Sequence, residues 1–301
     1  MPVHLPAVSR RQFLKATAAM SAGLVLPQSL WARGDADQDR WILLSDLHIP
    51  SDRDQELQGI KPAKNFEKAR EDYLKTAKNA CGLIVSGDLS VSAGKAEDYA
   101  LLRELLGPIR EAGIPAHMAF GNHDDRENFF NVFADEKSSV PPPVASKHVS
   151  IIESRNANWF LLDSLVKTLY TGGRIGDEQL KWLADSLDAR ADRPALIVAH
   201  HNPAGPDEKT ALEDAKQLFD VLLPRKHVKA FFFGHTHRWE TRQVEGLHLV
   251  NLPTLVWVFA NGNTQAWCDA LLSDKGVRLE LHALDAKHPL NGEVRELGWR
   301  S

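Results

Sequence analysis

From Arg40 onward the chain alternates short apolar runs with stretches of helical period. The strand-like runs are Trp41 to Leu44, Gly82 to Ser86, Pro115 to Phe120, Val149 to Ile152, Trp159 to Leu162, Ala195 to Ala199, Lys229 to Phe233, Leu247 to Leu252 and Val277 to His282. Between them, Phe66, Ala69, Tyr73 and Ala77 share one helical face, and Leu180, Leu183, Ala184 and Leu187 share another. A helix over 210 to 223 would gather Leu212, Ala215, Leu218, Phe219 and Leu222. Alternation of strand and helix predicts an α/β domain. No internal repeat or Gly/Ser linker interrupts 40 to 290, so one domain is expected there, followed by a C-terminal tail over 291–301. The stretch Ser138 to Lys147, with Pro141, Pro142 and Pro143, has neither period and reads as a surface loop, either a connector or a lid.

Composition narrows the chemistry. With 43% hydrophobic and 25% charged residues in 301, the chain is neither disordered nor collagen-like. It has 13 histidines but only 2 cysteines, which excludes a cysteine-built zinc scaffold or a disulfide framework, since Cys81 and Cys268 allow one bridge at most. Any metal must be held by imidazole and carboxylate. The formal charge of −4 gives no basic field for nucleic acid. The first 34 residues carry Arg10, Arg11, Lys15 and Arg33 and no acid, so the remainder has 32 basic against 40 acidic side chains, or −8. An anionic substrate therefore needs a local source of positive charge.

Residues 9 to 15 read Ser-Arg-Arg-Gln-Phe-Leu-Lys, followed by an apolar run from Ala16 to Leu26 and then Pro27. An isolated Arg-Arg pair would fit a basic amphipathic helix equally well; the whole heptapeptide resembles a twin-arginine export signal. The run is about half the ~20 residues that span a bilayer, so no stable membrane anchor is expected. The resemblance implies a signal over 1–36, a protein that meets the twin-arginine translocation machinery already folded, and a periplasmic or secreted destination. Cleavage is expected near Ala32 to Ala36, although no clean small-x-small site stands there.

The residues at the ends of the apolar runs are more informative. Trp41 to Leu44 ends in Ser-Asp46-Leu-His48, and Gly82 to Val85 ends in Ser-Gly-Asp88. Pro115 to Phe120 ends in Gly-Asn122-His123-Asp124, Ala195 to Ala199 in His200-His201-Asn202, and Ala230 to Phe233 in Gly-His235-Thr-His237. Ligand sites in α/β sheets lie beyond the carboxyl ends of strands. Alone, a Gly-Asp is a turn, a His-His pair a satisfied buried pair, and Asp124 a helix cap. Five such endings in sequence point instead to one pocket.

The series Asp46-x-His48, Gly87-Asp88, Gly121-Asn122-His123-Asp124, His200 and Gly234-His235-x-His237 resembles the signature of calcineurin-like dinuclear metallophosphoesterases, with flanking elements similar over roughly 40 to 285. The likeness is greatest to the class III cyclic-nucleotide phosphodiesterase and glycerophosphodiesterase branch, through residues 121–126, the helix from Tyr99 to Glu111, and residues 173–182. It implies a four-layer α/β/β/α sandwich of two mixed sheets flanked by helices. It also implies one metal on Asp46, His48 and His237, a second on Asn122, His200 and His235, and Asp88 bridging them, with His200 preferred to His201. The spacing agrees, because two-residue steps in extended backbone would aim Asp46 with His48 and His235 with His237 the same way.

By the same resemblance, a metal-bridging hydroxide attacks phosphorus, His123 is the general acid and Asp124 holds its other nitrogen, with Asn122, His123 and His201 facing the substrate. Two divalent or mixed-valence ions, iron, manganese or zinc, with cobalt also suited, would place about two net positive charges beside Asp46 and Asp88. Purple acid phosphatases carry Tyr three residues after the bridging Asp, where this chain has Val91, so no iron tyrosinate is expected. The Asp-Arg-Gly stretch of serine/threonine phosphatases is also missing after Asp88. The expected activity is exported hydrolysis of small phosphodiesters of cyclic-nucleotide or glycerophosphodiester type. A phosphomonoesterase and a non-catalytic phosphate- or metal-binding protein are the alternatives. A nuclease or phospholipase fits poorly with the acidic balance. Trp239 is read as packing or as a nucleobase platform, Trp257 as core, and residues 202–209 with the proline loop as a rim.

Overall fold

A computed structural model describes residues 3–7, 39–136, 141–203 and 210–301. The twin-arginine segment and its cleavage region lie outside them, as do parts of the proline loop and of the loop after Asn202. The strands are β1 (His4–Leu5), β2 (Asp39–Leu44), β3 (Gly82–Val85), β4 (Ala116–Met118), β5 (Ser150–Glu153), β6 (Asn158–Leu161), β7 (Ala195–Val198), β8 (Val228–Phe233), β9 (Glu240–Val244), β10 (Leu247–Asn251), β11 (Ala266–Leu272), β12 (Gly276–Ala283) and β13 (Val294–Gly298). The helices are α1 (Pro62–Thr76), α2 (Ala96–Glu111), α3 (Arg126–Val132), α4 (Asp177–Asp188) and α5 (Ala215–Leu222).

One sheet has the order β1-β4-β3-β2-β11-β12-β13 and the other β5-β6-β7-β8-β10-β9. Strands β2, β3 and β4 are parallel, as are β6, β7, β8 and β10, while the remaining pairings are antiparallel. Both sheets are therefore mixed, as expected.

Side-chain alternation builds the layers. In β2, Trp41 and Leu43 face a core shared with Trp159, Leu196, Val198 and Phe232 of the other sheet. Ile42 and Leu44 face the opposite way, onto Phe66, Ala69 and Tyr73 of α1 and Leu102 and Leu106 of α2. The second sheet repeats the scheme, with Phe231 and Leu249 against Leu183 of α4 and Leu218 and Leu222 of α5. Helix, sheet, sheet and helix stack as four layers. The parallel strands are covered on both faces, which is why they read as unbroken apolar runs.

Four differences from the sequence reading have physical causes. Residues 291–301 are not a tail, because β13 pairs antiparallel with β12. Arg300 then donates to the carbonyls of Val228, Leu222 and Arg225 at 2.8, 2.9 and 3.0 Å. Second, the helix expected over 210–223 begins only at Ala215: Leu212 bridges to Gly173, and the Asp214 carboxylate accepts from Ile175 and Gly176 N–H. Third, β9, β11 and β13 do not show in the apolar pattern. Strands β9 and β13 are edge strands with charged positions, and β11 carries Asp269 facing Arg40 at 3.5 Å in the middle of its sheet. Fourth, residues within the expected export signal supply β1, with Leu5 buried against Ala116. Cys81 and Cys268 are not joined by a disulfide. Among the described residues no helix is long and apolar enough to cross a membrane.

Candidate metal centre

The five chemistry-bearing segments leave the carboxyl ends of β2, β3, β4, β7 and β8, all parallel strands near the middle of their sheets. The backbone there is not extended, which corrects the expectation drawn from two-residue spacing. Asp46, His48, Asp88, His235 and His237 have φ of 53, 45, 49, 68 and 54°. A left-handed residue reverses the chain sharply, and Asp and His accept that conformation more readily than most side chains. Each turn thus aims its side chain back over the strand ends.

Two glycines permit the close approach of these turns. A Cβ on Gly121 would collide with Asp88 Oδ1, and one on Gly234 would collide with Ser45 Oγ and sit 2.5 Å from Asp46 Oδ2. Both carboxylates are consequently packed against bare backbone.

Three groups of potential ligand atoms lie within 4.8 Å of one another: Asp46, His48 and His237; His48, Asp88 and His123; and Asp88, His200 and His235. Asp88 belongs to two of them. Its Oδ2 lies 3.2 Å from His200 Nε2 and 3.6 Å from His48 Nε2, while Asp46 Oδ1 is 3.3 Å from His237 Nε2. The surroundings fix several of these groups. His237 Nδ1 faces the Trp257 carbonyl at 2.5 Å, and the His123 main-chain N–H donates to Asp88 Oδ1 at 2.9 Å. His235 N–H donates to the Asp46 carboxylate at 3.2 Å, and Ser45 Oγ also bonds Asp46. Both nitrogens of His48 and of His200, and Oδ1 of Asn122, are buried without a hydrogen-bond partner. Unpartnered buried imidazole nitrogens and an amide oxygen beside two carboxylates fit divalent cations.

The electrostatics agree for His48 and His235, whereas His200 and His237 are raised and would have to give up a proton to hold a cation. Burial lowers His48 to about 4 against the pull of Asp88 and Asp46. Burial, reinforced by His200, also lowers His235 to about 4. Both are neutral imidazoles at pH 7, the form that binds metal. Burial opposes ionisation of Asp46 and Asp88, yet His237 and His200 together outweigh it for Asp46, and His200 with His48 for Asp88, so both carboxyls lie well below their usual range. Burial likewise opposes protonation of His200, but Asp88 and Asp46 raise it to about 9.

His200 faces Asp88, whereas His201 turns its Nδ1 to Ser164 Oγ at 2.7 Å and packs its ring 4.8 Å from that of His235. Asp124 does not hold His123. Its carboxylate accepts from Gly121 N–H at 2.8 Å, Leu89 N–H at 3.1 Å, Ser90 N–H at 3.2 Å and the Tyr99 hydroxyl at 3.0 Å. Burial and the Asp88 charge push it up to about 7. Nor does Asp124 cap a helix, since Asp125 accepts from Asn128 N–H at the start of α3. His123 Nδ1 instead faces the Ser92 carbonyl at 3.1 Å. Trp239 is buried in the inter-sheet core with Arg295 over its ring, whereas Trp257, read as core, stands with its ring 5.2 Å from His48. Sequence reasoning missed Ser45, Ser92, Tyr99 and Phe259; only Ser45 adjoins a motif in a way that could have flagged it.

Comparison with known proteins meets this geometry. Residues 40–239 match the family model described as calcineurin-like phosphoesterase, and residues 7–27 match the twin-arginine translocation pathway signal sequence, an address for export to the periplasm or beyond. The chain is 28% identical over 234 residues to the 3',5'-cyclic adenosine monophosphate phosphodiesterase CpdA of Pseudomonas aeruginosa, covering 76% of this chain and 81% of that protein. It is 27% identical over 225 residues to a 3',5'-cyclic-nucleotide phosphodiesterase of Nostoc, covering 73% and 80%. A dimetal phosphatase from Danio rerio superimposes with a TM-score of 0.64 at 14% identity, over 87% of this chain and 99% of that one, which shows a shared fold.

Proposed function

We propose that this chain, which belongs to the calcineurin-like phosphoesterase family, acts outside the inner membrane as a phosphodiesterase on cyclic nucleotides or glycerophosphodiesters. One observation carries the reading: the Asp88 carboxylate lies between the buried imidazoles of His48 and His200, at 3.6 and 3.2 Å, where one anion could serve two cation positions. The resemblance of three quarters of the chain to proteins named as cyclic-nucleotide phosphodiesterases favours diesters.

Asp46, His48 and His237 would hold one cation and Asn122, His200 and His235 the other, with Asp88 common to both. Iron, manganese or zinc there would supply Lewis acidity toward phosphoryl oxygens and a nucleophile at neutral pH. The residues of the chain do the rest. The Ser92 carbonyl accepts from His123 Nδ1–H, which orients the ring so that the imidazolium, protonated at both nitrogens, would give its Nε2 proton to the departing alkoxide and relax to the Nδ1–H tautomer. Asn122 and His201 complete the polar wall facing the ester, and Ser164 fixes His201. Asp124 keeps the Asp88 loop and the Asn122 loop in register.

The test is hydrolysis by mature protein stripped of metal and reloaded with manganese, zinc or iron. Its substrates are 3',5'-cyclic AMP, a glycerophosphodiester, bis(p-nitrophenyl) phosphate and p-nitrophenyl phosphate. Faster cleavage of the diesters is expected; cleavage of the monoester alone would make the protein a phosphomonoesterase. No cleavage by any loaded form would overturn the enzymatic reading in favour of a binding protein.

A further inference from the structure

Among the described residues five large apolar side chains are exposed, and four of them, Val166, Leu169, Tyr170 and Phe259, lie on two loops that flank the candidate metal centre. The rings of His123, His48 and His237 follow one another at 4.8 and 5.3 Å. One loop abuts each end of that row. At the His123 end, Leu169 N–H donates to the Asn122 carbonyl at 2.7 Å, and Thr168 Oγ1 to the Asp124 carbonyl at 2.8 Å. At the His237 end, Phe259 lies flat on the imidazole, with centroids 4.5 Å apart and planes at 16°.

Neither position is explained by packing. Leu169 is 58% exposed and has φ +64°, a conformation in which a branched side chain is strained and glycine or asparagine would be at ease. Strain held by a hydrogen bond to the residue beside His123, in a side chain that buries little, directs attention to function. Phe259 covers a candidate metal ligand with one face and is 66% exposed. We propose that these two loops form the walls of a subsite for a planar, apolar group esterified to the phosphate, a nucleobase-bearing or aryl alcohol, with Phe259 and Leu169 as the specificity-determining residues. This rests on the phosphodiesterase reading and adds to it. The Phe259 and Leu169 side chains have no hydrogen-bonding group and recognise by stacking and dispersion, so the subsite accepts purines, pyrimidines and simple aryl groups alike. Glycerol, small and hydrated, gains nothing from it.

The experiment compares holoenzyme variants Phe259→Ala, Leu169→Ala and Phe259→Trp on two diester sets, one carrying nucleosides or p-nitrophenyl and one with only aliphatic alcohols. Expected is a roughly tenfold fall, ~1.4 kcal/mol, in the ratio of kcat/KM between the first set and the second for the alanine variants. That fall should appear in KM, and Phe259→Trp should restore the ratio. Equal losses on both sets, or an unchanged ratio, would overturn the inference. So would unaltered KM values accompanied by weakened binding to anionic phospholipid vesicles, which would assign the apolar rim to a lipid surface. Wild-type protein that cleaves no diester would defeat the phosphodiesterase reading itself, whereas active wild type with non-discriminating variants would defeat only the subsite.

Discussion

Removing the Asp124 carboxylate should damage the fold around the metal centre before it touches proton transfer. In Asp124→Ala the N–H groups of Gly121, Leu89 and Ser90 and the Tyr99 hydroxyl lose their common acceptor in a fully buried place. Each orphaned donor costs about 1–3 kcal/mol. The four share one acceptor and relax together, so their costs do not add, and breaking this buried hydrogen-bond network should cost roughly 3–5 kcal/mol in all. For a domain of this size that lowers Tm by roughly 10 °C. Asp124→Asn keeps one acceptor oxygen but turns an amide N–H₂ toward the same donors, so about half the loss is expected. Tyr99→Phe, which removes one donor to Asp124 and also the acceptor of Asp125 N–H at 2.7 Å, should cost about 1–3 kcal/mol. Thermal and urea unfolding of the metal-loaded proteins measure these differences. A series of diesters with leaving groups of graded pKa measures the competing role. If Asp124→Asn unfolds like wild type while its rate depends more steeply on the leaving group, Asp124 acts on His123 after all, and the structural account is refuted.

The contacts of the site and of the first sheet carry four more expected outcomes. Gly234→Ala places a methyl group against Ser45 and Asp46 and should weaken the Asp46–His48–His237 position selectively, seen as about one metal equivalent lost by elemental analysis. His200→Ala should lose metal and activity together, whereas His201→Ala, which removes a ring bonded to Ser164, should retain metal; parallel metal loss in both would contradict the geometry. His123→Ala should retain both metals and slow esters with poor leaving groups by about 10²-fold or more, and good ones far less, as a rate series shows. Burial raises the Asp269 carboxyl above its usual range, so the folded chain binds that proton more tightly than the unfolded chain. The stabilisation is complete below the usual carboxylate pKa of about 4 and is lost as pH rises through the raised value. Asp269→Asn should therefore gain stability relative to wild type as pH rises above about 4, and a constant difference in urea midpoints would refute it.

The legibility of this chain followed burial. Strands covered on both faces, such as β3 and β7, must be apolar throughout and announced themselves. Strands with one face or edge toward solvent, β9 and β13, carry Glu240, Arg242 and Glu296 and look like loop or tail. β11 escaped notice because Asp269 interrupts its run, with Arg40 3.5 Å away across the sheet. The helix over 210–223 was overextended because periodicity does not register that Asp214 is engaged by the amides of Ile175 and Gly176.

At the site, chemistry imposed by a cation was readable, since few side chains can serve and their positions at strand ends are fixed by topology. The supporting contacts were not, because a main-chain carbonyl can come from any residue: nothing in Ser92 or Trp257 distinguishes them as the acceptors for His123 and His237. The left-handed turns explain why the ligands still occur in such short motifs. Five residues at positive φ each cost of order 1 kcal/mol or more, and that strain is tolerable only where a carboxylate or imidazole gains more by being aimed at a neighbour than it loses in its backbone. Gly121 and Gly234 follow from the same requirement, since a turn that tight brings the next loop's main chain into contact with Asp88 and Asp46. The glycines before Asn122 and His235 are thus part of the metal chemistry, through the space that they leave empty.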